Sequence, residues 1–407
     1  MKSRPNNPFI ILLLAAVSLL PSAAAVAQDK NDFNPIQTGV NSLNIAPDAR
    51  GASMGDLGAA TEPDANSQYW NPSKYAFAYS KGALSLSYTP WLRSLVNDIF
   101  LANLSGYWKP GNDDNQALSA TLRYFSLGEV TTWGSAEGQT LNPYEMSFDI
   151  GYSRKLSEKF SMGVVFRYIY SDLGFSDSYA GDQNTGASAF SADISGYYTT
   201  YPIIGRNECQ FSWGWDISNI GTKVAYNHGE NPAFLPTNLR LGAAFTFPLA
   251  DYHNLTFALD ANKLLVPARP LESRYDMSTP EGQKAYLDAL EEWENMSPIT
   301  GIFKSFGDAP GGASEELKEI MWSLGTEYSY NSQFFLRAGY FYEHAMKGNR
   351  QYFGIGAGFA LNVLRLDASY MLATAQTSPL DQTLRFTLTF DMDGLRDIFG
   401  TGDGRRR

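Results

Sequence analysis

From Tyr144 to Tyr152 the chain alternates strictly. Tyr144, Met146, Phe148, Ile150 and Tyr152 share one parity, and Glu145, Ser147, Asp149 and Gly151 share the other. Leu384, Phe386, Leu388 and Phe390 alternate in the same way with Arg385, Thr387 and Thr389. Successive side chains of a strand point to opposite faces, so each segment has one apolar and one polar face. Segments of about ten residues with this pattern, rich in aromatic residues and recurring along a chain, are what a transmembrane β-barrel is built from. Such a wall needs no long apolar run, because closing the sheet satisfies every backbone hydrogen bond internally.

The segments can be counted. Fourteen read as strands: 82–89, 98–109, 116–127, 144–156, 159–170, 187–201, 209–220, 237–247, 254–264, 321–330, 333–343, 350–360, 362–373 and 382–392. The even connections are short: 110–115, 157–158, 202–208, 248–253, 331–332 and a joint at Leu361. The odd ones are longer: 128–143, 171–186, 221–236, 265–320, 344–349 and 374–381, with the first, near 90–97, less decisive. Outer-membrane barrels pair short periplasmic turns with longer external loops in this manner, and an even count leaves both barrel ends in the periplasm. The expected fold class is all-β: a 14-stranded antiparallel transmembrane outer-membrane β-barrel.

Parity assigns the faces. Met162, Val164, Phe166 and Tyr168 face lipid, as do Trp213, Trp215, Trp322, Leu324, Leu364 and Leu366. Arg123, Asp149, Arg167, Arg240, Asp260, Glu327, Arg337, Arg365, Asp367 and Arg385 all fall on the lumen face. Charge near the lipid midplane is costly, so lumen positions such as Ser147 and Ser161 are expected to accept Arg more readily than Phe148 or Phe166. The lumen charges either pair with one another and stiffen the wall or line a selective pore.

Residues 1–27 read as a secretory signal peptide. Lys2 and Arg4 supply the positive start, residues 9–20 the apolar stretch, and Ala25-Val26-Ala27 a small-x-small cleavage site. An anchoring helix is the alternative, but the run falls short of the ~20 residues a span requires. Aromatic residues make up 14% of the chain, charged ones 18%, and there are 36 glycines, a strand-and-turn composition. The mean hydropathy of −0.26 does not argue for a soluble protein, because only every second wall residue meets lipid. The net charge of −11, more negative still without Lys2 and Arg4, argues against nucleic acid as a partner.

No catalytic, cofactor-binding or metal-binding constellation stands out. Cys209 has no internal disulfide partner; it is either a small wall residue or a reactive thiol. The three histidines, His228, His253 and His344, are scattered, which disfavours a His-based metal site. Gly354-x-Gly356-x-Gly358 has no helix after it and is no nucleotide loop; lumen-facing glycines instead let a plug or neighbouring wall come close. Glu343-His344 has no visible nucleophile beside it, so no enzyme is expected.

Residues 28–81 are not strand-like. Small residues dominate 49–60, so the segment can pack closely. Entering from the periplasm and fused to the first strand, it can fold back as a plug or hatch, since barrels near this size enclose space. A disordered linker is the alternative, against which Tyr69 and Trp70 argue. The Ala/Gly-rich stretch, the acidic and Asn-rich stretch after it, and Tyr69-Trp70-Asn71-Pro72-Ser73 resemble the hatch of FadL-type long-chain fatty-acid transporter barrels. That family has fourteen strands and an N-terminal plug with an Asn-Pro-Ala motif; here Asn71 and Pro72 match and Ser73 replaces Ala. The stretches 41–55 and 67–74 are similar to its PorV branch, outer-membrane components of the type IX secretion system of Bacteroidetes.

The PorV resemblance implies a carrier with no cofactor. Its implied partners are the type IX translocon barrel, cargo C-terminal signal domains and a PorU-type sortase or attachment complex, with outer-membrane lipid around a monomeric barrel. The FadL resemblance implies instead a transporter of fatty acids or other hydrophobic molecules, against which the polar lumen counts. A purely structural barrel is the third reading.

The loop 265–320 is the other outlier, since loops beyond about 15 residues are usually functional or disordered. Thr279-Pro280-Glu281 is a helix start, with Ala285, Leu287, Leu290, Trp293 and Met296 at partly helical spacing after it; 308–312 breaks the pattern and 314–319 starts a second helix. A helical cap outside the barrel is expected. It is either a lid or a partner surface with Tyr286, Trp293, Ile299, Ile302, Phe303 and Phe306 as apolar anchors. Residues 393–407 end in three arginines and form a periplasmic tail, either a solvated end or a contact with partners or lipid phosphates.

Overall fold

The computed structural model describes residues 33–92, 98–111, 114–132, 139–173, 186–226, 230–374 and 381–393. The proposed signal peptide, His228 and nearly all of the tail lie outside these residues. Fourteen strands close into one antiparallel barrel in sequence order. They are β1 (Gly82–Pro90), β2 (Ile99–Trp108), β3 (Gln116–Leu127), β4 (Tyr144–Lys155), β5 (Phe160–Asp172), β6 (Ala187–Thr200), β7 (Gln210–Gly221), β8 (Asn238–Ala250), β9 (His253–Leu264), β10 (Met321–Tyr330), β11 (Phe334–Tyr342), β12 (Gln351–Ala360), β13 (Leu364–Ala373) and β14 (Leu384–Asp391). Closure is made by β14 on β1, with Ala83 opposite Asp391 and Tyr88 opposite Phe386.

The parity read from the sequence holds around the ring. Phe148, Val164, Phe166, Trp213, Leu324 and Leu366 are exposed on the outer wall, and their neighbours Ser147, Asp149, Arg167, Asp216, Glu327 and Asp367 are buried inside. Aromatic rings form girdles at both ends of that wall. On the long-loop side Tyr88, Phe100, Tyr124, Tyr144 and Tyr170 follow one another across β1–β5 with centroids 5.6–6.0 Å apart. On the short-turn side Tyr198 meets Trp213, and Phe334 meets Phe359. Two girdles flanking an apolar band mark the two membrane interfaces. No helix among the described residues is long and apolar enough to cross a membrane; the crossing is made by strands.

Three local readings change. Strands β8 and β9 extend past the expected turn at 248–253, which shrinks to Asp251-Tyr252, with a register irregularity between Pro248 and Ala250. The long loop carries a helix at Pro298–Lys304 that was not anticipated, between the expected ones at Pro280–Asn295 and Ala313–Lys318. The described part of the leader does not begin at the periplasmic end of the barrel, where the sequence reading puts its start. Its first described residues lie at the external mouth, where Asn34 N–H donates to Met346 O of the β11–β12 loop (2.9 Å) and Gly39 N–H to Phe234 O of the β7–β8 loop (2.8 Å). From there it descends through a 3-10 turn at Asn41–Asn44, helix Ala49–Ser53, helix Ser67–Trp70 and a 3-10 helix at Pro72–Phe77, joining β1 at the periplasmic end.

The plug packs too closely for lumen positions to be forgiving. Ser161 is fully buried and its Oγ donates to Ser73 O at 2.7 Å. Ser161→Arg is therefore expected to fail, contrary to the expectation from parity alone. Phe166→Arg should destabilise the inserted barrel by the ~2–4 kcal/mol of a midplane cation and so lower its folded fraction, and Ser161→Arg should lower that fraction at least as much, while Ser161→Ala assembles normally. Heat-modifiable gel mobility reads all three. A second check concerns direction: in a Cys209→Ser background, Phe33→Cys, exposed at the mouth, should be labelled by a membrane-impermeant thiol reagent on intact cells.

Candidate functional site

The plug is a chain with little regular structure, and the wall supplies its hydrogen bonds. Asp48 caps the helix Ala49–Ser53: one carboxylate oxygen accepts from Gly51 N–H (2.8 Å) and the other from Trp70 Nε1 (2.6 Å). Gly51 lies flat on the Trp70 ring, where a Cβ would collide with it. Asp260 of β9 accepts from the N–H groups of Gly58 and Ala59 at 2.8 and 2.9 Å. Arg240 of β8 donates to the carbonyls of Tyr69 and Trp70, both at 2.9 Å. Arg123 of β3 holds the carbonyls of Ser42 and Ile45.

The five motif residues converge in this lumen. Tyr69 and Trp70 meet edge to face at 4.8 Å. Asn71 Nδ2 bridges Ala59 O (2.9 Å) and Gly196 O of β6 (3.0 Å), while its Oδ1 accepts from the backbone N–H and hydroxyl of Ser73. Pro72 opens the short 3-10 helix, and Lys74 Nζ, fully buried, donates to Gly58 O at 2.7 Å. Asn71-Pro72 is thus a corner locked to both plug and wall. On the far wall Gly354 and Gly356 face the helix Ala49–Ser53 so closely that a Cβ would strike Ala52 and Ser53.

The lumen charges are mostly paired with one another. Arg50 of the plug reaches Glu327 of β10 through two nitrogens (2.9 and 3.1 Å) and Asp64 at 2.9 Å. Glu327 also pairs with Arg337, Arg337 with Asp367 (2.8 Å), and Asp367 with Arg365 (2.8 Å). Arg167 binds Asp149 and Asp193, each at 2.8 Å. Arg385 pairs with Asp56 of the plug at 3.1 Å. This arrangement cross-links plug and wall and, among the described residues, leaves no open ring of like charge.

Above the plug is an external vestibule of about 450 Å³, with Ile36, Ile45, Trp91, Phe125 and Met321 among its walls and Arg385 and Tyr352 also facing it. The cap stands beside it on two tethers. Trp293 is one: its Nε1 donates to Pro267 O (3.0 Å), its ring meets Phe234 at 5.3 Å, and Lys223 donates to Glu294 O at the helix C-terminus (2.7 Å). A cation there also suits the helix dipole. The second tether is ionic. Lys347 of the β11–β12 loop binds Glu315 (2.6 Å) and Glu319 (3.1 Å), and Lys263 of β9 binds Glu316 (2.9 Å) and Glu319. Burial works to raise the Glu315 carboxyl, but the Lys347 ammonium outweighs it and holds the group below the ordinary carboxylate range. Asp308 is pushed up by burial, although Ala268 N–H donates to it at 2.9 Å.

The six apolar loop residues therefore separate. Trp293 faces the rim, Tyr286 packs on Tyr275 at 5.6 Å, and Ile302 is half-buried. Ile299, Phe303 and Phe306 stay exposed, Phe303 at 74%. Leu287 and Leu317, which the sequence reading did not place among the anchors, are exposed as well. The lysine–glutamate tether was also missed. Its only sequence signal is the acidic run in 315–319, which names no partner.

Residues 27–271 match the family model described as type IX secretion system protein PorV. The chain belongs to the PorV family. No curated protein matches the sequence. Among solved structures, a TodX deltaS2S3 mutant monoaromatic hydrocarbon channel is 12% identical over 84% of this chain and 98% of its own, with a TM-score of 0.49. The Pseudomonas putida toluene transporter TodX is 11% identical over 88% and 98%, TM-score 0.47. A Pseudomonas aeruginosa FadL homologue is 12% identical over 88% and 100%, TM-score 0.43. At these values the likeness carries no functional inference. Membership of the PorV family makes the chain a component of type IX secretion.

Breaking one partner of a buried ion pair leaves the other charge poorly compensated, at about 3–5 kcal/mol. Arg50→Met should lower the denaturant midpoint of the purified barrel accordingly and expose the plug to protease. Lys304→Met, which removes an exposed pair with Glu292, should cost under ~1 kcal/mol.

Proposed function

We propose that this protein resides in the outer membrane as a monomeric carrier of exported proteins. It receives cargo bearing the C-terminal signal domain as it leaves the type IX translocon barrel and delivers it to a PorU-type sortase or attachment complex. No bond is made or broken in this role; the external loops bind and release a protein. The observation that carries the reading is the cap. It is ordered and tethered at two points, yet it keeps Ile299, Phe303 and Phe306 in water while the lumen beneath is filled. Exposed apolar clusters on an ordered surface mark association sites, and aromatic anchors dominate the energy of such interfaces.

One observation favours a second reading, uptake of hydrophobic molecules: the external vestibule is partly apolar and large enough for a small ligand. The polar, ion-paired lumen below it counts against passage.

The test is affinity purification of an Ile299→Ser, Phe303→Ser, Phe306→Ser variant from outer membranes. Central anchors are worth about 2 kcal/mol or more, so recovery of translocon barrel and cargo should fall more than about tenfold with normal barrel levels. Undiminished recovery would remove these residues from the mechanism. Recovery of bound fatty acid without any protein partner would favour uptake instead.

A further inference from the structure

A narrow crevice of about 30 Å³ runs between the plug and the β2–β8 side of the wall, room for one or two waters. Most of its lining residues are polar, and five buried atoms of them, Asn66 Oδ1, Asn103 Nδ2, Arg123 Nε, Ser147 Oγ and Asn238 Oδ1, have no protein partner. Buried donors and acceptors left open in a polar site are met by water.

The position of the crevice matters as much as its chemistry. It shares Asn44 with the external vestibule and Asn66 with a second cavity of about 270 Å³ at the periplasmic side of the plug. Vestibule and lower cavity have no lining residue in common. The crevice therefore lies between them, bordered by Asn44 on the outer side and Asn66 on the inner. Tyr69 stands in it with two guanidinium groups against its ring, Arg123 at 5.3 Å and Arg240 at 5.2 Å from the centroid, a distance at which cation and ring attract. Both arginines are fixed by plug carbonyls, so the ring is held by two cations that cannot readily move.

We propose that this seam is a hydrated thread and that Tyr69 is its seal. With the ring in place the thread holds single waters and passes no hydrated ion. With the ring removed, vestibule, crevice and lower cavity join into one aqueous pore. Arg123, Arg167 and Arg240 are set against Asp149, Asp193 and, 3.9 Å from Arg240, Asp216, so the charges around the seam balance and the opened pore passes both ions of a salt. A residue that only packs would, when truncated, lower stability and leave the membrane tight.

The experiment is conductance of the full chain in planar lipid bilayers in potassium chloride. The wild-type protein and Tyr69→Phe, which keeps the ring, are expected to be silent. Tyr69→Ala is expected to give steady current steps at unchanged circular dichroism. A folded but silent Tyr69→Ala protein overturns the proposal, as does a wild-type or Tyr69→Phe protein that conducts. If Tyr69→Ala does not assemble, Tyr69→Leu, which keeps an apolar body beside Trp70, is read by the same criterion, with smaller steps expected and silence again overturning the seal.

Discussion

Closure of the sheet is the constraint on which the rest depends. In hydrocarbon an unpaired backbone group costs several kcal/mol, so β14 must find β1 and every strand must lie between two neighbours. A fourteen-strand circle leaves a lumen too wide for wall side chains alone to fill, and the leader fills it. The filler brings a new problem. Its helices are only four to six residues long, so much of its backbone lacks internal partners. The wall answers with inward polar side chains: Asp260 for Gly58 and Ala59, Thr387 for Ala49, Glu145 for Ser42, and Lys109 for Ala78. The polarity of the lumen thus follows from the irregularity of the plug.

The same logic explains the ion pairs. Parity leaves two uses open for ten lumen charges, mutual pairing or a pore. The chain of Asp64, Arg50, Glu327, Arg337, Asp367 and Arg365 crosses from plug to wall and binds three strands together. Buried pairs of this kind contribute less to net stability than their contacts suggest, because desolvation opposes them. Their stronger effect is on register: a displaced plug would leave Glu327 and Asp260 facing no donor from it.

What the sequence discloses and what it hides follow from the range of the interaction. Strand existence and facing are period-two properties, readable within ten residues, and loop alternation is readable along the chain. The cap helix at 280–295 is announced by Thr279 and Pro280, whose hydroxyl and ring do local work. The helix Pro298–Lys304 has the same kind of start at Ser297, which accepts from Thr300 N–H, but seven residues give too little periodicity to recognise. Contacts across the circle carry no local sign at all. Arg50 and Glu327 are 277 positions apart, and Trp293 reads the same whether it will meet a partner or dock on Phe234. The direction of the leader is hidden for the same reason: it is fixed by Asn34 and Gly39 bonding through backbone groups that every residue possesses.

That distinction between docking and presented aromatics bears on how the cap can work. A loop of more than fifty residues, if free, would lose much conformational entropy on binding a partner. Here that loss has already been met in folding. The Trp293 contacts fix one side of the cap on the β7–β8 loop, and Lys263 and Lys347 fix the other on β9 and the β11–β12 loop. Between these tethers the helix Pro298–Lys304 packs Gly301 against Pro267 and Phe234, which leaves Ile299 and Phe303 on its outward side. The apolar residues are thus held in water by the geometry of their own support. A surface so arranged is preorganised: it can bind a partner with little further ordering and release it without unfolding, as a carrier must.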